Sequence, residues 1–398
     1  MESIPELVDD LVRLILLKLP IKSLIKFRSV SKSWKYIISN NTFIYELYSN
    51  NSLALSEGKD DDTPSFLTVH RHLTPNVDKY FSLLSLFRTD GRLNSRIDEV
   101  FHIPYITNKS PDCPLIYPAG FGIHCLFEFS SGKVALWNLA IKELKALPLS
   151  PFKAEYSDGQ YHYGFAHVSF KDGIFSYKVG KMTTRWDEED SVFWLTIELY
   201  SSIDDSWKVL RDCRRLKVGG DTGTFHNWIF SGANLNDTFH CLNWLCAEDP
   251  HIFTFDMGTG EFGRFELPNF VKHDSRYEIC FSLLTKFDEK FLCLLLYWNN
   301  EEEINVDVWV MLEYGIAASW TKKSTTGPII NLDPIEVLGI SKRAGVLFLD
   351  MEKGLSFCRL GSQKLGLGHQ NSDKFHQVVE NKESLVSFSG TSDSRKKL

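Results

Sequence analysis

The chain has 398 residues, of which 43% are hydrophobic and 24% charged, proportions that are ordinary for globular proteins and argue against wholesale disorder. Its aromatic content of 13% favours strands, because aromatic side chains suit half-buried pleated surfaces. The net charge of −7 argues against a nucleic-acid binder that works through a basic face.

The first predicted element is a group of short helices within residues 4–50. Pro5 suits the first turn of a helix, where a missing amide hydrogen costs nothing. Pro20 is expected to end that helix, because the residue before a proline is biased away from helical geometry. A second helix is predicted over 21–28 and a third from about Ser31, and the stretch NNTFIYELYS closes the module.

The first helix has more apolar residues than one packed face requires. A helix that covers a single core shows one apolar stripe about 100° wide. Here the apolar positions go most of the way round, so something beyond the helix's own module is expected to cover the surplus. These positions are Leu7, Val8, Leu11, Val12, Leu14, Ile15, Leu16, Leu17 and Leu19.

The amino-acid sequence of residues 5–43 resembles the F-box, the helical motif with which substrate receptors dock onto a Skp-type adaptor in cullin–RING ubiquitin ligases. The stretch LPIKSLIKFRSVSKSW is typical of plant F-box proteins, although Ile4 replaces the usual leucine and Ser29 stands where many relatives carry cysteine. The resemblance implies a Skp-type adaptor as partner and, through it, cullin and RING subunits. The residues it implies for adaptor binding are Pro5, Leu7, Leu11, Ile15, Leu16, Leu19, Pro20, Leu24, Phe27, Arg28, Val30, Lys32 and Trp34.

The charge of the N-terminal module agrees with this expectation. Residues 20–45 hold five basic residues and no acidic one, a run that suits an acidic partner and speeds encounter more than it strengthens the final complex. The alternative is a self-contained helical cap on the domain that follows. The acidic stretch SEGKDDDTP is predicted to be a linker. The expected organisation is an F-box over 1–50, a linker over 51–65, a β domain over 66–390 and a tail over 391–398.

Beyond the linker, a hairpin unit recurs in which a strand enters a polar turn and an aromatic or aliphatic residue opens the return strand. Its spacing of 45 to 63 residues is on the scale of one four-stranded blade of about 40–50 residues with loop insertions. The predicted fold is therefore α plus all-β: a three- to four-helix F-box followed by an approximately six-bladed β-propeller. The alternative is a sandwich of unrelated hairpins. The six units are LFRTDGRLNSRIDEVFHIP (86–104), LWNLAIKELKALP (136–148), ELYSSIDDSWKVL (198–210), FTFDMGTGEFGRFELP (253–268), WVMLEYGIAASWTKKS (309–324) and CRLGSQKL (358–365).

Most of residues 110–390 resembles the F-box-associated β-propeller domain of plant receptors. The landmarks are LWNLAIKELKALP, YKVGKM, ELYSSIDDSW, HCLNWLC, IFTFDMGTGEF, DVWVMLEYGIAASW and KESLVSF. Leu139 replaces the proline that is usual in the first of these. The DMGTGEF and KESLVSF stretches are similar to S-locus F-box proteins of the nightshade type, in which pollen receptors recognise non-self S-RNases and mark them for ubiquitination. The resemblance thus implies a protein substrate for the propeller, with S-RNase as one candidate.

Two runs of carboxylates on predicted loops are candidates for substrate binding. Their ordinary interpretation is a solvated connection between strands. Their functional interpretation is electrostatic steering of a basic protein substrate, since propeller loops are suitably placed for binding. The candidate residues are Asp187, Glu188, Glu189, Asp190, Glu301, Glu302 and Glu303.

No sequence pattern indicates catalysis, a cofactor or a metal. A nucleophile elbow, a P-loop and a dinucleotide-binding glycine motif are all absent, although a glycosidase-like carboxylate pair on the turns stays open. Cys241 and Cys246 with His240 and His251 match no zinc spacing. The remaining alternatives are therefore a receptor for an unrelated plant protein, or a propeller enzyme or glycan binder with a helical cap.

The expected location is the cytoplasm, and also the nucleus, with pollen or the pollen tube if the S-locus resemblance holds. The eight cysteines include no C-x-x-C pair, which fits a reducing compartment. The chain starts with acidic residues rather than a basic signal-peptide region, and its apolar stretches fall short of the about 20 residues that span a bilayer.

Overall fold

The computed structural model shows an N-terminal helical module followed by a six-bladed β-propeller. The structure describes residues 9–56, 64–72, 79–89, 92–103, 114–128, 132–151, 160–187, 192–217, 232–243, 251–268, 281–287, 290–300, 303–330, 335–351, 354–363, 365–370, 373–388 and 395–397.

The helical module consists of α1 (Asp9–Leu16), α2 (Ile21–Phe27), α3 (Lys32–Ile38) and α4 (Asn41–Ser56). Local chemistry explains where α3 and α4 begin. Ser31 caps α3, its hydroxyl accepting a hydrogen bond from the Trp34 amide at 3.0 Å. The Asn40 side-chain oxygen likewise accepts the amides of Thr42 and Phe43 at the start of α4. Four helices are thus confirmed, and α4 continues six residues past the predicted end of the F-box, into the segment 51–65 that was expected to be a linker.

The strands before the middle of the propeller are β1 (Ser65–His72), β2 (Lys79–Thr89), β3 (Arg92–Phe101), β4 (Leu115–Gly120), β5 (Ile123–Phe127), β6 (Val134–Asn138), β7 (Glu143–Ala146), β8 (Gln160–Lys171), β9 (Ile174–Asp187), β10 (Val192–Ser201), β11 (Ser206–Lys217), β12 (Gly232–Leu235) and β13 (Thr238–Asn243). The later strands are β14 (His251–Asp256), β15 (Phe262–Glu266), β16 (Phe281–Phe287), β17 (Phe291–Asn300), β18 (Glu303–Met311), β19 (Trp320–Ile330), β20 (Glu336–Ser341), β21 (Val346–Met351), β22 (Gly354–Arg359), β23 (Leu365–Gln370), β24 (Asp373–Asn381) and β25 (Arg395–Lys397).

Six antiparallel sheets form the blades of the propeller. Numbered along the chain and with the innermost strand first, blade 1 is β24-β1-β2-β3, and blades 2 to 6 are β4–β7, β8–β11, β12–β15, β16–β19 and β20–β23. The innermost strands contact one another in a ring. Blade 1 closes that ring, because β24 near the end of the chain pairs with β1 near its beginning, with Leu67 opposite Val379. This closure protects the sheet edges that an open array would expose.

Two side-chain amides bridge neighbouring inner strands of the ring. The Asn234 amide nitrogen donates to the backbone oxygens of Ala166 at 2.5 Å and Pro118 at 3.3 Å, which joins blades 2, 3 and 4. The Gln377 side chain both accepts from the Ile116 amide at 2.8 Å and donates to the Ile116 carbonyl at 2.7 Å, which joins blade 1 to blade 2. These bonds satisfy backbone groups of adjacent blades that no β-ladder serves.

The six hairpins predicted from the sequence are confirmed, and they share one position. Each joins the two outer strands of a blade, as β6–β7 does in blade 2 and β14–β15 does in blade 4. Strand alternation and polar turn residues are local signals, so they could be recognised without knowledge of the fold. Residues 391–398 were expected to be a tail. Within them, residues 395–397 form β25, which pairs with β7 as a fifth strand of blade 2.

Two buried polar contacts hold parts of the propeller together. In blade 3 the Lys181 ammonium lies 3.1 Å from the fully buried carboxylate of Glu198 on the adjacent strand. Burial raises the pKa of Glu198, and the Lys181 charge opposes that change. At the ring closure, the Asp350 carboxylate accepts a hydrogen bond from the Phe375 amide at 3.0 Å. Burial, reinforced by the neighbouring Glu336 charge, raises the pKa of Asp350 to about 6.

Candidate functional site

The first candidate surface is the outward face of α1. Leu11, Leu14 and Ile15 are 53%, 56% and 52% exposed, and their spacing of three and four residues places them on one side of the helix. Val12 and Leu16 occupy the opposite side and are buried. The surplus of apolar residues in α1 therefore divides into an inner face that packs within the chain and an outer face that remains accessible.

The inner face belongs to a continuous core that includes both the helical module and the propeller. From the module this core contains Val12, Leu16, Leu17, Ile21, Leu24, Ile38, Phe43, Ile44 and Leu47. From the propeller it contains residues of blades 2 and 3 and of the segment 382–388. The helices are therefore not an isolated unit, because their core is completed by the β domain.

The residues predicted to bind the adaptor fall into four groups, of which the fully buried pair Leu16 and Leu24 is described last. Pro20, Val30 and Lys32 are exposed like Leu11 and Ile15, whereas Leu19, Phe27, Arg28 and Trp34 are partly buried. Trp34 lies edge-on to Phe27 with the ring centroids 5.4 Å apart. Pro5 and Leu7 lie outside the described residues.

Leu16 and Leu24 require a correction to the list of contact residues. Both have a relative exposure of 0%, so in this conformation they offer no surface to a partner and act by holding the helices together. An aspartate at either position would test folding and not docking. Conversely, Leu14 and Tyr36 were left out of the predicted list, although they are 56% and 76% exposed and lie on α1 and α3. Helical phase could have identified Leu14, since it is three residues from Leu11.

The helical module lies on one end of blades 2 and 3. The Tyr45 ring stacks on Phe170 at 4.4 Å and 17°, and the Tyr48 ring lies 5.0 Å from Phe121. The Asn41 side chain donates to the Gly173 carbonyl at 3.0 Å. Phe121 lies in the β4–β5 turn and Gly173 in the β8–β9 turn, so we name the end of the propeller that carries these two turns the F-box end.

The opposite end, named here the far end, is defined by the connections that follow β5, β9 and β17. Because β9 begins beside Gly173 and has 14 residues, Asp187 at its last position lies roughly 40 Å along the strand from the F-box end. Glu303 is the first residue of β18, whose other end leads into the 312–319 hairpin turn at the F-box end. The backbone order thus places both candidate carboxylate positions at the far end.

The described residues account for only part of the two acidic runs. Glu303 is partly buried, and Asp187 is described by its position in the strand. Glu188, Glu189, Asp190, Glu301 and Glu302 lie outside the described residues. Sequence reasoning missed Glu336, which is exposed at the first position of β20 and therefore also lies at the far end. A lone glutamate at the start of a strand carries no sequence signal, and only the topology reveals its location.

The described part of the chain contains no group of three or more metal-binding side chains. His240 is buried, and its two ring nitrogens lie 3.1 Å from the Ala233 carbonyl and 2.8 Å from the Tyr314 hydroxyl. Burial lowers the pKa of His240 to about 4, so the ring is neutral at physiological pH. Of the four residues Cys241, Cys246, His240 and His251, Cys246 lies outside the described residues. No described helix is long and apolar enough to cross a membrane.

Comparison with known protein families matches residues 123–394 to the F-box associated beta propeller domain and residues 4–45 to the F-box domain. The chain therefore belongs to the family of F-box proteins with an F-box-associated β-propeller.

Curated relatives agree with this assignment. The F-box/kelch-repeat protein At3g23880 of Arabidopsis thaliana is 24% identical over 395 residues, which cover 97% of this chain and 92% of the relative. The F-box protein At4g19940 of the same plant is 26% identical over 325 residues, which cover 78% and 70% of the two chains. Among solved structures, the SapL1 lectin in complex with alpha methyl fucoside matches with a TM-score of 0.41 and 11% identity over 78% of this chain and 96% of the lectin, a likeness too low to inform function.

Proposed function

We propose that the protein is the substrate-recognition subunit of a Skp–cullin–F-box ubiquitin ligase and has no catalytic residues of its own. The F-box binds a Skp-type adaptor and, through it, cullin and RING subunits. The propeller binds a protein substrate, which is ubiquitinated and degraded by the proteasome. The observation that carries this proposal is the accessible apolar face of Leu11, Leu14 and Ile15, on a module whose opposite face is buried against the propeller.

The role of the receptor is to bring two proteins together. A tethered substrate meets the ubiquitin-charged enzyme in an effectively unimolecular step, which lowers the entropic part of the barrier. Such a role requires two separate docking surfaces. The outward face of α1 supplies the first, and we assign the second to the far end of the propeller, because the module occupies the F-box end on blades 2 and 3.

For the substrate we propose a basic protein, with non-self S-RNase in gametophytic self-incompatibility as the specific candidate. The acidic residues at positions 187–190 and 301–303, together with exposed Glu336, support a basic partner by charge complementarity. On this proposal the protein acts in the cytoplasm or nucleus of pollen and the pollen tube. A basic plant protein unrelated to S-RNase is the alternative substrate.

The stretches that resemble S-locus proteins have structural roles here. In DMGTGEF, the Asp256 carboxylate accepts the amides of Gly258 and Thr259, both at 2.7 Å, and so forms the hairpin turn of blade 4. These backbone hydrogen bonds lower the pKa of Asp256. Within KESLVSF, Leu385, Val386 and Phe388 are buried. The resemblance at these positions therefore reflects the fold more directly than the substrate.

The test is a binding measurement with purified components. The full-length chain is immobilised, and a Skp-type adaptor, an S-RNase and an unrelated basic RNase are applied in turn. The proposal expects adaptor binding and a preference for the S-RNase, with binding to the S-RNase weakened when Glu303 and Glu336 are both changed to Gln. Failure to bind the adaptor would overturn the receptor function. Equal binding of both RNases would overturn the S-RNase assignment alone.

A further inference from the structure

Four sequence landmarks of the propeller meet at one place beside the F-box: LWNLAIKELKALP, YKVGKM, ELYSSIDDSW and KESLVSF. The segment 382–388, which follows the last inner strand, crosses the outer part of blade 2. The Asn138 side-chain nitrogen donates to the carbonyls of Ser384 at 3.1 Å and Val386 at 2.8 Å. The Ser387 hydroxyl donates to the Glu143 carboxylate at 2.7 Å. The segment is therefore held by directed hydrogen bonds to the β6–β7 hairpin.

An aromatic cluster receives the end of this segment. The Phe388 ring lies edge-on to Tyr177 at 5.9 Å and 83°, and Tyr177 is stacked 6.1 Å from Tyr200. The ammonium of buried Lys145 lies 5.4 Å from the Tyr177 ring centroid, a cation–π arrangement. Trp207, 5.5 Å from Tyr200, donates its indole hydrogen to the Pro148 carbonyl at 2.7 Å.

The first part of the segment is fitted closely against the propeller. Gly122 in the β4–β5 turn has a φ of +70°, and a Cβ there would lie 2.5 Å from both the Lys382 carbonyl oxygen and the Ser384 Cβ. Only glycine allows this approach without a shift of the backbone. The same turn carries Phe121, which the F-box contacts through Tyr48. The turn is therefore shared between the segment and the F-box.

The segment and the F-box are also linked by an ion pair, by a charged neighbour that both approach and by a common hydrophobic core. Lys22 of α2 lies 4.0 Å from Glu383. Burial lowers the pKa of Arg28, and the charge of Glu143, the residue that accepts from Ser387, opposes that change. Leu385, Val386 and Phe388 belong to the same core as the buried residues of α1 and α2. The segment is thus in contact with blade 2 on one side and associated with the F-box on the other.

We propose that residues 382–388 are a clasp that fixes the F-box on blades 2 and 3, acting together with Tyr45 and Tyr48 of α4. The consequence for ubiquitin transfer rests on the proposed function: a fixed F-box sets the position of the far end relative to the adaptor. Because β24 ends at Asn381, the clasp lies beyond the strand that closes the propeller. The propeller can therefore stay closed when the clasp is loosened.

The test is hydrogen exchange of the full-length chain measured by mass spectrometry. Two variants loosen the attachment of the F-box to the propeller: Phe388→Ala within the clasp, and the double variant Tyr45→Ala/Tyr48→Ala within α4. Tyr36→Ala is the matched control, since Tyr36 lies on α3 and is 76% exposed. In both loosened variants we expect exchange in α1–α4 and in 382–388 to rise together by about tenfold or more, with the inner strands β4 and β12 unchanged. The control should exchange as the wild type does.

Unchanged exchange in α1–α4 in both loosened variants would overturn the clasp. Faster exchange of the inner strands in Phe388→Ala would mean a general loss of the fold. The double variant, whose Tyr45 is 39% exposed, then decides: the clasp is supported if 382–388 exchanges faster together with α1–α4, and refuted if it does not. A second measurement addresses the consequence. With adaptor bound at saturation, the loosened variants should still bind substrate and should transfer ubiquitin to it more slowly. Absence of adaptor binding in the wild type would refute the proposed function and leave the exchange result intact.

Discussion

The outward face of α1 gives the sharpest prediction, for which the perturbation is the double variant Leu14→Gln/Ile15→Gln. Glutamine keeps the helix propensity of α1 and removes the apolar surface. Full burial of a leucine or isoleucine side chain contributes about 1.5–3 kcal/mol, and the exposed halves of these two side chains correspond to about 1 kcal/mol each. A loss of about 2 kcal/mol raises the Kd for a Skp-type adaptor roughly 30-fold.

The assay is calorimetric titration of the purified full-length chain with the adaptor. The matched control is Ile203→Gln, because Ile203 is an apolar side chain on the β10–β11 hairpin, 78% exposed, outside the F-box. A second control, Leu16→Ala, separates docking from folding: it removes a fully buried side chain, and we expect about 2–5 kcal/mol of lost stability in the helices. A double variant that is folded and binds the adaptor within twofold of the wild type would show that this face of α1 is not the docking surface.

Three further predictions concern the propeller and are read from unfolding experiments. Lys181→Met leaves the Glu198 carboxylate buried without its partner, so we expect a loss of about 3–5 kcal/mol, largely restored in Lys181→Met/Glu198→Leu; a double variant no more stable than the single one would contradict this. Gly180→Ala places a Cβ 2.0 Å from the Phe165 ring, and we expect about 1–3 kcal/mol of destabilisation that Phe165→Leu partly relieves; a neutral Gly180→Ala would show the packing to be wrong. The folded pKa of Asp350, raised to about 6, means that its contribution to stability is present below its unfolded pKa of about 4 and is lost as the pH rises through 6. Asp350→Asn should therefore stabilise the protein relative to wild type by about 1–3 kcal/mol at pH 8 and by about half as much at pH 5, and a pH-independent difference would refute the assignment.

The hairpins could be predicted because their signals are local. A period of two, a polar turn and an aromatic opener occur within each stretch, as in 136–148 and 253–268, and each is a hairpin between the outer strands of a blade. The closure of the ring was not predictable in the same way. Pairing of β1 with β24 joins residues about three hundred positions apart, and no local pattern specifies such a partner.

In α1 of the F-box, too, the sequence alone did not specify how the helix packs. The excess of apolar residues in α1 correctly predicted two apolar faces, but it did not tell which residue belongs to which face. Leu16 was expected at the interface and is buried, while Leu14 was left out and is exposed. On a helix that is apolar nearly all round, the side that faces inward is set by what packs against it, here the other helices of the module, whose core continues into blades 2 and 3.

The candidate substrate surface combines sequence and topology. The acidic runs are visible in the sequence, but the end of the propeller at which they lie follows from the antiparallel order and from the location of the F-box. Asp187 and Glu303 are at strand termini of two different blades, and both termini point away from α4.

The receptor function is tested most directly by cross-linking and affinity capture of the tagged full-length chain from pollen-tube extract supplied with style extract, read by mass spectrometry. We expect a Skp-type adaptor and cullin to be recovered, with adaptor cross-links to Lys22 or Lys26 of α2 or to Lys32 of α3. We also expect a basic protein, S-RNase on the specific proposal, to be cross-linked to lysines at the far end, such as Lys133 and Lys374. Absence of the adaptor and cullin from a folded, intact chain would contradict the receptor function itself.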